Sequence, residues 1–270
     1  MLKHSFDFPL GYRNVWRKIA AIAVFAAFFG HFLPARAQQA TLHVAAAADL
    51  TPVLPVLANE YKKETGVEII PSFGSSATLT QQLRNGAPFD LFLSADSSHP
   101  LELAAAQLTT KDPVPYARGT LVLWARKDSP AQPLSLATLS SANLTKLAIA
   151  NPAHAPYGLA AKQFLDHEHL YETVAPKLVT AENIAQTAQY AESGNAQAGL
   201  ISLTTASTEH FRSLGSYILI PESTHAPLLQ AGVVMRSSKN SVAAEAFLKW
   251  LTSAATQARL KQFGLESVTQ

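Results

Sequence analysis

The sequence predicts an α/β fold in two parts, and three observations support that prediction. Residues 41–96 alternate apolar strands with amphipathic helices in the order strand, helix, strand, helix, strand. The third strand, FDLFLSAD (89–96), is mostly apolar, as expected of a parallel strand that is covered on both faces. A second alternation occupies residues 119–236, with no low-complexity linker in front of it. Such alternation is typical of parallel strands joined by right-handed helical crossovers.

The first alternation has clear element boundaries. Its first helix carries four apolar residues between Leu50 and Leu57 that fall on one helical face. Asp49 is a suitable N-cap for that helix, and Gly66 is a suitable stop at its C-terminus. The predicted strands are 41–48, 67–73 and 89–96, and the predicted helices are 49–66 and 78–86.

The second alternation and the C-terminal segment are assigned in the same way. The predicted strands are 119–126, 146–151, 177–180, 198–203, 216–221 and 228–236, and the predicted helices are 157–167 and 183–194. One or two amphipathic helices close the chain at 241–264, with Phe247, Trp250 and Leu251 facing inward. Because no flexible linker separates the two alternations, we expect two lobes between which the chain crosses more than once.

The N-terminus has the pattern of a signal peptide. Basic residues at 13–18 precede the apolar run IAAIAVFAAFFGHFL (19–33), which is too short to span a bilayer comfortably. The run is followed by ARA (35–37), the small-x-small pattern that signal peptidase requires. We therefore expect a signal peptide at 1–37, cleavage after Ala37 and export to the periplasm. The alternative is an uncleaved membrane anchor.

Removal of the leader changes the charge of the protein. The leader holds five of the 21 basic residues and one of the 19 acidic residues, so the mature chain is slightly acidic, with 16 basic and 18 acidic residues. This balance gives no support for nucleic-acid binding. The chain has no cysteine, so the stability of the exported protein must come from its core rather than from disulfides.

Three predicted strand-to-helix corners have the composition of an anion site, at 47–49, 74–76 and 151–158 (NPAHAPYG). A helix N-terminus presents unpaired N–H groups and the positive end of the helix dipole. An oxyanion can therefore bind there without a positively charged side chain. The alternative for Ser75 and Ser76 is a plain helix cap.

A secreted serine hydrolase is a further alternative for the serine corner. The sequence has no GxSxG elbow that would present a nucleophilic serine. Residues that could complete a triad are present without any favoured spacing, namely His43, His99, His154, Asp90 and Asp96. The HEH sequence at 167–169 completes no zinc motif, so it is interpreted as a polar helix end.

The residues of both alternations resemble one protein family. The segment from VAAAADLTPVLPVL to NGAPFDLFLSAD is similar to the first lobe of periplasmic molybdate-binding proteins, the receptors of molybdate ABC importers. NPAHAPYGLAAKQFL, ENIAQTAQYAESGNAQAGLISL and FLKWLTSAATQARLKQFG resemble the second lobe and the return to the first. The resemblance implies a two-lobed periplasmic binding protein fold (type II-like), each lobe a mostly parallel sheet flanked by helices, with the chain crossing the hinge twice. The implied lobes are 38–120 with 231–270, and 121–230.

The resemblance also implies a ligand site. The ligand is molybdate or tungstate, held by backbone N–H groups and hydroxyls, with no cofactor and no metal cation. The implied binding residues are Ala48, Asp49, Ser75, Ser76, Tyr157 and Ile184. A branch of the family uses a tyrosine where this chain has Ser202, so that contact is not expected here. Ser76→Ala is expected to lower affinity with little loss of stability.

Asp49 departs from the serine, threonine or asparagine that the family often has. A carboxylate a few ångströms from a dianion would repel it by on the order of several kcal/mol. In one interpretation Asp49 turns back to cap the helix 50–64, and only backbone reaches the ligand. In the other, Asp49 accepts a proton from a protonated ligand, which would suit hydrogen phosphate. A receptor for sulfate or phosphate is therefore the alternative.

The implied function is transport rather than catalysis. We expect a periplasmic monomer that closes over the oxyanion and then docks on the permease of an ABC importer, which works with an ATPase subunit. Selectivity against sulfate would come from cavity size, since the two anions share charge and shape.

Overall fold

The computed structural model describes residues 40–268, and the predicted signal peptide at 1–37 lies outside them. The strands are β1 (Thr41–Ala47), β2 (Glu68–Gly74), β3 (Leu91–Ser94), β4 (Val114–Gly119), β5 (Leu121–Arg126), β6 (Leu147–Ala150), β7 (Leu178–Ala181), β8 (Ala198–Ser202), β9 (Gly215–Leu219) and β10 (Leu228–Val234). The α-helices are α1 (Leu54–Thr65), α2 (Ser76–Arg84), α3 (Ser98–Ala105), α4 (Pro156–His167), α5 (Tyr171–Val174), α6 (Ile184–Glu192), α7 (Leu203–Ala206), α8 (Glu209–Leu214), α9 (Ser241–Leu251) and α10 (Ala254–Lys261). Short 3₁₀ turns lie at Ala48–Leu50, Leu136–Ser140, Ala175–Lys177 and Glu222–Thr224.

The strands form two five-stranded sheets, each the centre of one lobe. The first has the order β2-β1-β3-β10-β4 and the second the order β7-β6-β8-β5-β9. In the first, β1 pairs in parallel with β2 and β3, and β10 pairs antiparallel with β3 and β4. In the second, β6 pairs in parallel with β7 and β8, and β5 pairs antiparallel with β8 and β9. The predicted two-lobed α/β fold is confirmed, but each sheet is mixed, because one strand, β10 in the first and β5 in the second, runs against the other four.

The chain crosses between the sheets twice, as predicted. It leaves the first sheet at Gly119 and enters the second at Leu121, and it returns between Leu219 and Leu228. The predicted strand 119–126 is thus the crossing and β5 together. Strand β4 and helix α3, both in the first lobe, were not predicted from the sequence.

The first helix begins later than the sequence predicted. Residues Ala48–Leu50 form a 3₁₀ turn, and α1 starts only at Leu54. Had the helix run from Leu50, Pro55 would lie in its interior and its ring would clash with the carbonyl four residues earlier. With a start at Leu54, Pro55 falls in the first turn, where a missing N–H costs little. The prediction of Asp49 as the cap of this helix is therefore wrong.

Each sheet has apolar side chains on both faces. In the first lobe, Leu57, Phe247 and Leu251 are buried against one face, and Leu79 is buried against the other. The predicted inward direction holds for Phe247 and Leu251, whereas Trp250 is partly buried and stacks on Phe247 with ring centroids 5.9 Å apart. Each fully buried side chain of this size contributes about 1.5–3 kcal/mol. This packing fixes the strand ends that carry the site.

None of the helices between residues 40 and 268 is long and apolar enough to cross a bilayer.

Candidate functional site

The corners predicted from the sequence meet because of strand register. Parallel strands β1 and β2 end side by side, with Ala47 opposite Gly74, so the turns that follow them are neighbours. In the second sheet Ala150 lies opposite Ala181, so the starts of α4 and α6 are neighbours too. In an open α/β sheet this carboxyl edge is where ligands bind. Two such edges, one from each lobe, face each other across a cavity.

All six predicted binding residues line this cavity. They are Ala48, Asp49, Ser75, Ser76, Tyr157 and Ile184. The cavity among them has a volume of about 10 Å³, far below the roughly 300–1,000 Å³ that is usual for pockets holding drug-sized molecules. Each of the six side chains is buried. The cavity therefore suits a small ion enclosed by both lobes.

Three helix N-termini lie at the cavity. Helix α2 begins at Ser76, α4 at Pro156 and α6 at Ile184, and each of these residues lines the cavity. The first N–H groups of a helix have no partner within it. Pro156 has no N–H, so Tyr157 supplies the first donor of α4. The three dipoles add positive potential at one place.

Two side chains cap these helices. Ser75 Oγ accepts a hydrogen bond from Thr78 N at 3.3 Å, and Asn183 Oδ1 accepts one from Gln186 N at 3.0 Å. Both caps satisfy the third N–H of their helix. In α2 the second N–H, that of Ala77, bonds to the His154 carbonyl, so the Ser76 N–H remains for a ligand, as does the Ile184 N–H in α6. Ser75 is therefore both a helix cap and a residue of the cavity lining.

Ser76 has a different contact from its neighbour. It is the first residue of α2, and its Oγ accepts a hydrogen bond from Ala95 N at 3.2 Å. A hydroxyl that accepts in this way still has its own hydrogen to donate. Ser76 can therefore offer both a backbone N–H and an O–H to an anion.

Asp49 does not cap a helix. Its side chain makes no cap hydrogen bond, and its Oδ2 accepts from Gln230 Nε2 at 2.5 Å and from the Tyr157 hydroxyl at 3.4 Å. Its Oδ1 is buried and has no hydrogen-bond partner among residues 40–268. Burial raises the pKa of the Asp49 carboxyl from 3.8 to about 7, against the lowering effect of its hydrogen bonds. The carboxyl group is thus turned toward the hinge side of the cavity, where β10 passes.

The Tyr157 side chain extends from the cavity to the lobe crossing. Burial, and secondly the charge of Asp49, raise the pKa of the Tyr157 hydroxyl well above 10, so this hydroxyl stays protonated and can donate. A Cβ atom added at Gly119 would lie only 2.2 Å from that hydroxyl oxygen. Position 119 therefore requires glycine, because the Tyr157 hydroxyl lies where any Cβ atom would be.

Two residues that hold Asp49 in place were not predicted from the sequence. Gln230 is fully buried in β10, and Thr204 Oγ1 donates to the Asp49 backbone carbonyl at 2.7 Å. A polar residue inside the apolar run LLQAGVVM was the available signal for Gln230. Ser202 is also buried, where its Oγ contacts Thr204 and Thr205, and it does not line the cavity.

The cavity is electrically unusual for an anion site. Within the described chain, no lysine, arginine or histidine lines it. His99 instead pairs with Asp96 at 2.8 Å, and His154 lies 3.5 Å from Glu182. Among residues 40–268, the Ser75 and Ser76 hydroxyls bond to Thr78 and to Ala95 N rather than to a histidine side chain. Residues 40–268 also hold no group of three or more His, Cys, Asp or Glu side chains suited to a metal ion.

The two lobes touch at the mouth of the cavity. Ala77 N, in α2, donates to the His154 carbonyl at 3.1 Å. Beside it, Thr78 Oγ1 donates to Glu182 Oε1 at 3.0 Å. The contacts join the first lobe to the second, so the structure has the lobes closed over the cavity.

Comparison with known proteins identifies the family. A family model described as bacterial extracellular solute-binding protein matches residues 42–266. The chain belongs to this family. Among relatives, the molybdate-binding protein ModA of Azotobacter vinelandii is 34% identical over 233 residues, covering 86% of this chain and 92% of that protein. ModA of Escherichia coli is 29% identical, covering 85% and 90%.

Solved structures of similar proteins have the same architecture. The Azotobacter vinelandii periplasmic molybdate-binding protein superposes with a TM-score of 0.78 at 30% identity, covering 83% of this chain and 98% of that one. The sulfate-binding protein SubI of Mycobacterium tuberculosis superposes with a TM-score of 0.73 at 16% identity, covering 86% and 88%. At that identity the second likeness concerns the fold alone. The family match identifies a transporter-type solute receptor and leaves the solute to be argued from the site.

Proposed function

We propose that this chain is the periplasmic molybdate receptor of an ABC importer, and that it binds tungstate in the same way. The observation that supports it most is that three helix N-termini meet at a small cavity, and no cationic side chain of residues 40–268 lines that cavity. N–H donors and helix dipoles bind an oxyanion without a counter-charge. The molybdate-binding names of the relatives support the same ligand.

The proposed ligand contacts come from both lobes. The first lobe supplies Ala48, Asp49, Ser75 and Ser76, and the second supplies Tyr157 and Ile184. Because the donors are divided between lobes, the anion joins them and favours closure. The lobes proposed from the sequence are 38–120 with 231–270, and 121–230, and they turn about the two crossings.

The proposed partners follow from the family. A monomer with the oxyanion enclosed docks on a membrane permease and its ATPase subunit, after signal-peptide cleavage behind Ala37. The extracellular character of the family supports this location.

A second candidate ligand is favoured by one residue. An ionised Asp49 carboxylate would accept a hydrogen from hydrogen phosphate, which molybdate lacks. Sulfate has the charge and shape of molybdate, so cavity size must separate those two.

A ligand panel tests the proposal. The chain from residue 38 is heated with molybdate, tungstate, sulfate, phosphate or chromate, and affinities are then measured by titration calorimetry. A ligand at 100 times its Kd stabilises by about 2.7 kcal/mol, which raises Tm by roughly 5–10 °C for a protein of this size. We expect this shift with molybdate and tungstate and none with phosphate. A shift with sulfate or phosphate alone would contradict the proposal.

A further inference from the structure

Asp49 is the one acidic side chain that lines the cavity in the described chain, and it has an unused oxygen. Its Oδ2 is occupied by Gln230 and Tyr157, both of which donate to it. Its Oδ1 is buried without a partner. A buried polar atom without a partner is costly unless a ligand or a proton satisfies it. Oδ1 is therefore the atom of the cavity lining that a ligand or a proton would satisfy.

We propose that Asp49 binds the oxyanion as a neutral carboxylic acid, with a proton on Oδ1 that is donated to the anion, so that each oxyanion binds together with one proton. The proposal rests on the proposed function, since it concerns the same anion at the same site. It assigns Asp49 the donor role that a serine or asparagine would have at this corner. The proton comes from solvent, and no other bond changes.

The surroundings of Asp49 leave it as the group that titrates. Tyr157 from α4 and Tyr116 from β4 face it, and burial raises the pKa of both hydroxyls well above 10, so both stay neutral. Gln230 from β10 and Thr204 from α7 are uncharged. Among residues 40–268, no cation contacts the carboxyl group that would hold it ionised beside a dianion.

Burial and a bound dianion both raise the pKa of the Asp49 carboxyl. With the lobes closed, as in this structure, burial already raises the pKa of Asp49 to about 7. A dianion in the cavity raises the pKa further, because like charges disfavour the ionised form. Below the free-state pKa the proton is already present, so affinity is flat with pH. Above that pKa, the protein must take up a proton to bind, so affinity falls by about tenfold per pH unit.

Calorimetry on the wild-type chain from residue 38 measures this proton directly. Molybdate is titrated between about pH 6 and pH 9, at each pH in two buffers of different ionisation enthalpy. We expect proton uptake per molybdate to rise toward one above about pH 7, as Kd weakens about tenfold per unit. This measurement depends on no variant folding.

Two variants assign the proton to Asp49. Asp49→Asn replaces the carboxyl group with a neutral group of the same size that has an N–H to donate. The affinity of this variant for molybdate is therefore expected to be independent of pH, with no proton uptake. Asp96→Asn is the matched control, because Asp96 belongs to the start of α3, outside the cavity lining. Although burial opposes it, His99 holds the pKa of Asp96 below its ordinary value. This control is expected to keep the wild-type pH dependence.

Different results would contradict the proton on Asp49 and the proposed molybdate-receptor function. If molybdate binds without proton uptake, or if the affinity of Asp49→Asn still falls with rising pH, the proposed proton on Asp49 is wrong. The proposed molybdate-receptor function would still hold. Tight binding of phosphate that Asp49→Asn abolishes would show an ionised acceptor, which overturns it as well. Absence of molybdate binding at every pH would overturn both.

Discussion

Two adjacent serines begin helix α2, and their side chains have different partners. Ser75 Oγ is bonded to Thr78 within the same helix turn, whereas Ser76 Oγ accepts from Ala95 N on the neighbouring strand end. The first contact serves the helix, and the second holds a hydroxyl at the cavity. Substitution of the two serines should therefore separate stability from binding.

Ser76→Ala should weaken molybdate binding and also lower stability. One donor to the anion is lost, which is worth about 1.5–3 kcal/mol for a charged acceptor, or roughly 10- to 150-fold in Kd. The buried Ala95 N–H loses its acceptor as well, at a cost of about 1–3 kcal/mol. The structure thus revises the expectation of little stability loss. Calorimetry and urea unfolding measure the two effects.

The comparison variant is Ser75→Ala. Loss of this cap should cost about 0.5–2 kcal/mol of unfolding free energy, with a smaller effect on Kd than Ser76→Ala. Equal molybdate affinity in Ser76→Ala and the wild type would show that the Ser76 hydroxyl does not contact the anion.

At the scale of elements, α6 has both a side-chain cap and a proposed anion-binding N-terminus. Asn183 caps this helix, lines the cavity and precedes Ile184, whose N–H is a proposed donor. The local structure of this corner is therefore coupled to the site. Changes at Asn183 can alter charge while keeping the cap, because serine, aspartate and asparagine are all good caps.

Asn183→Asp should keep stability and lose affinity. Aspartate caps well and interacts favourably with the helix dipole, so the unfolding free energy should stay within about 0.5 kcal/mol. Its charge would lie beside the bound dianion and should weaken Kd by roughly tenfold or more, since about 1.4 kcal/mol of repulsion suffices. Calorimetry with Asn183→Ser as the neutral capping control measures the difference. An unchanged Kd in Asn183→Asp would place the anion away from this corner.

Some elements around the site were predictable from the sequence, and others were not. The corners were predictable because strand and helix patterns are local, and parallel strands place their carboxyl ends together. The start of α1 was predicted too early because a good cap residue, Asp49, was given more weight than Pro55. Gln230 was missed because its partner is 181 residues away in sequence, and nothing local reports that antiparallel β10 passes behind the site.

At the scale of the whole molecule, closure depends on contacts outside the cavity. Glu182 accepts from Thr78 across the cavity mouth, and its side chain remains about half exposed. It therefore has two effects on an arriving anion. Its hydrogen bond favours the closed lobes, and its negative charge repels an oxyanion near the entrance.

Two substitutions of Glu182 separate these effects in the kinetics of molybdate binding. Glu182→Gln keeps an acceptor for Thr78 and removes the charge, so the association rate should rise, with a weaker dependence on salt. Glu182→Ala also removes the acceptor, so the dissociation rate should rise by roughly two- to tenfold, the equivalent of about 0.5–1.5 kcal/mol. Stopped-flow fluorescence at several salt concentrations measures both rates. Equal dissociation rates in the two variants would show that the Thr78 contact does not hold the lobes closed, and closure would then depend on the anion and the Ala77–His154 backbone bond.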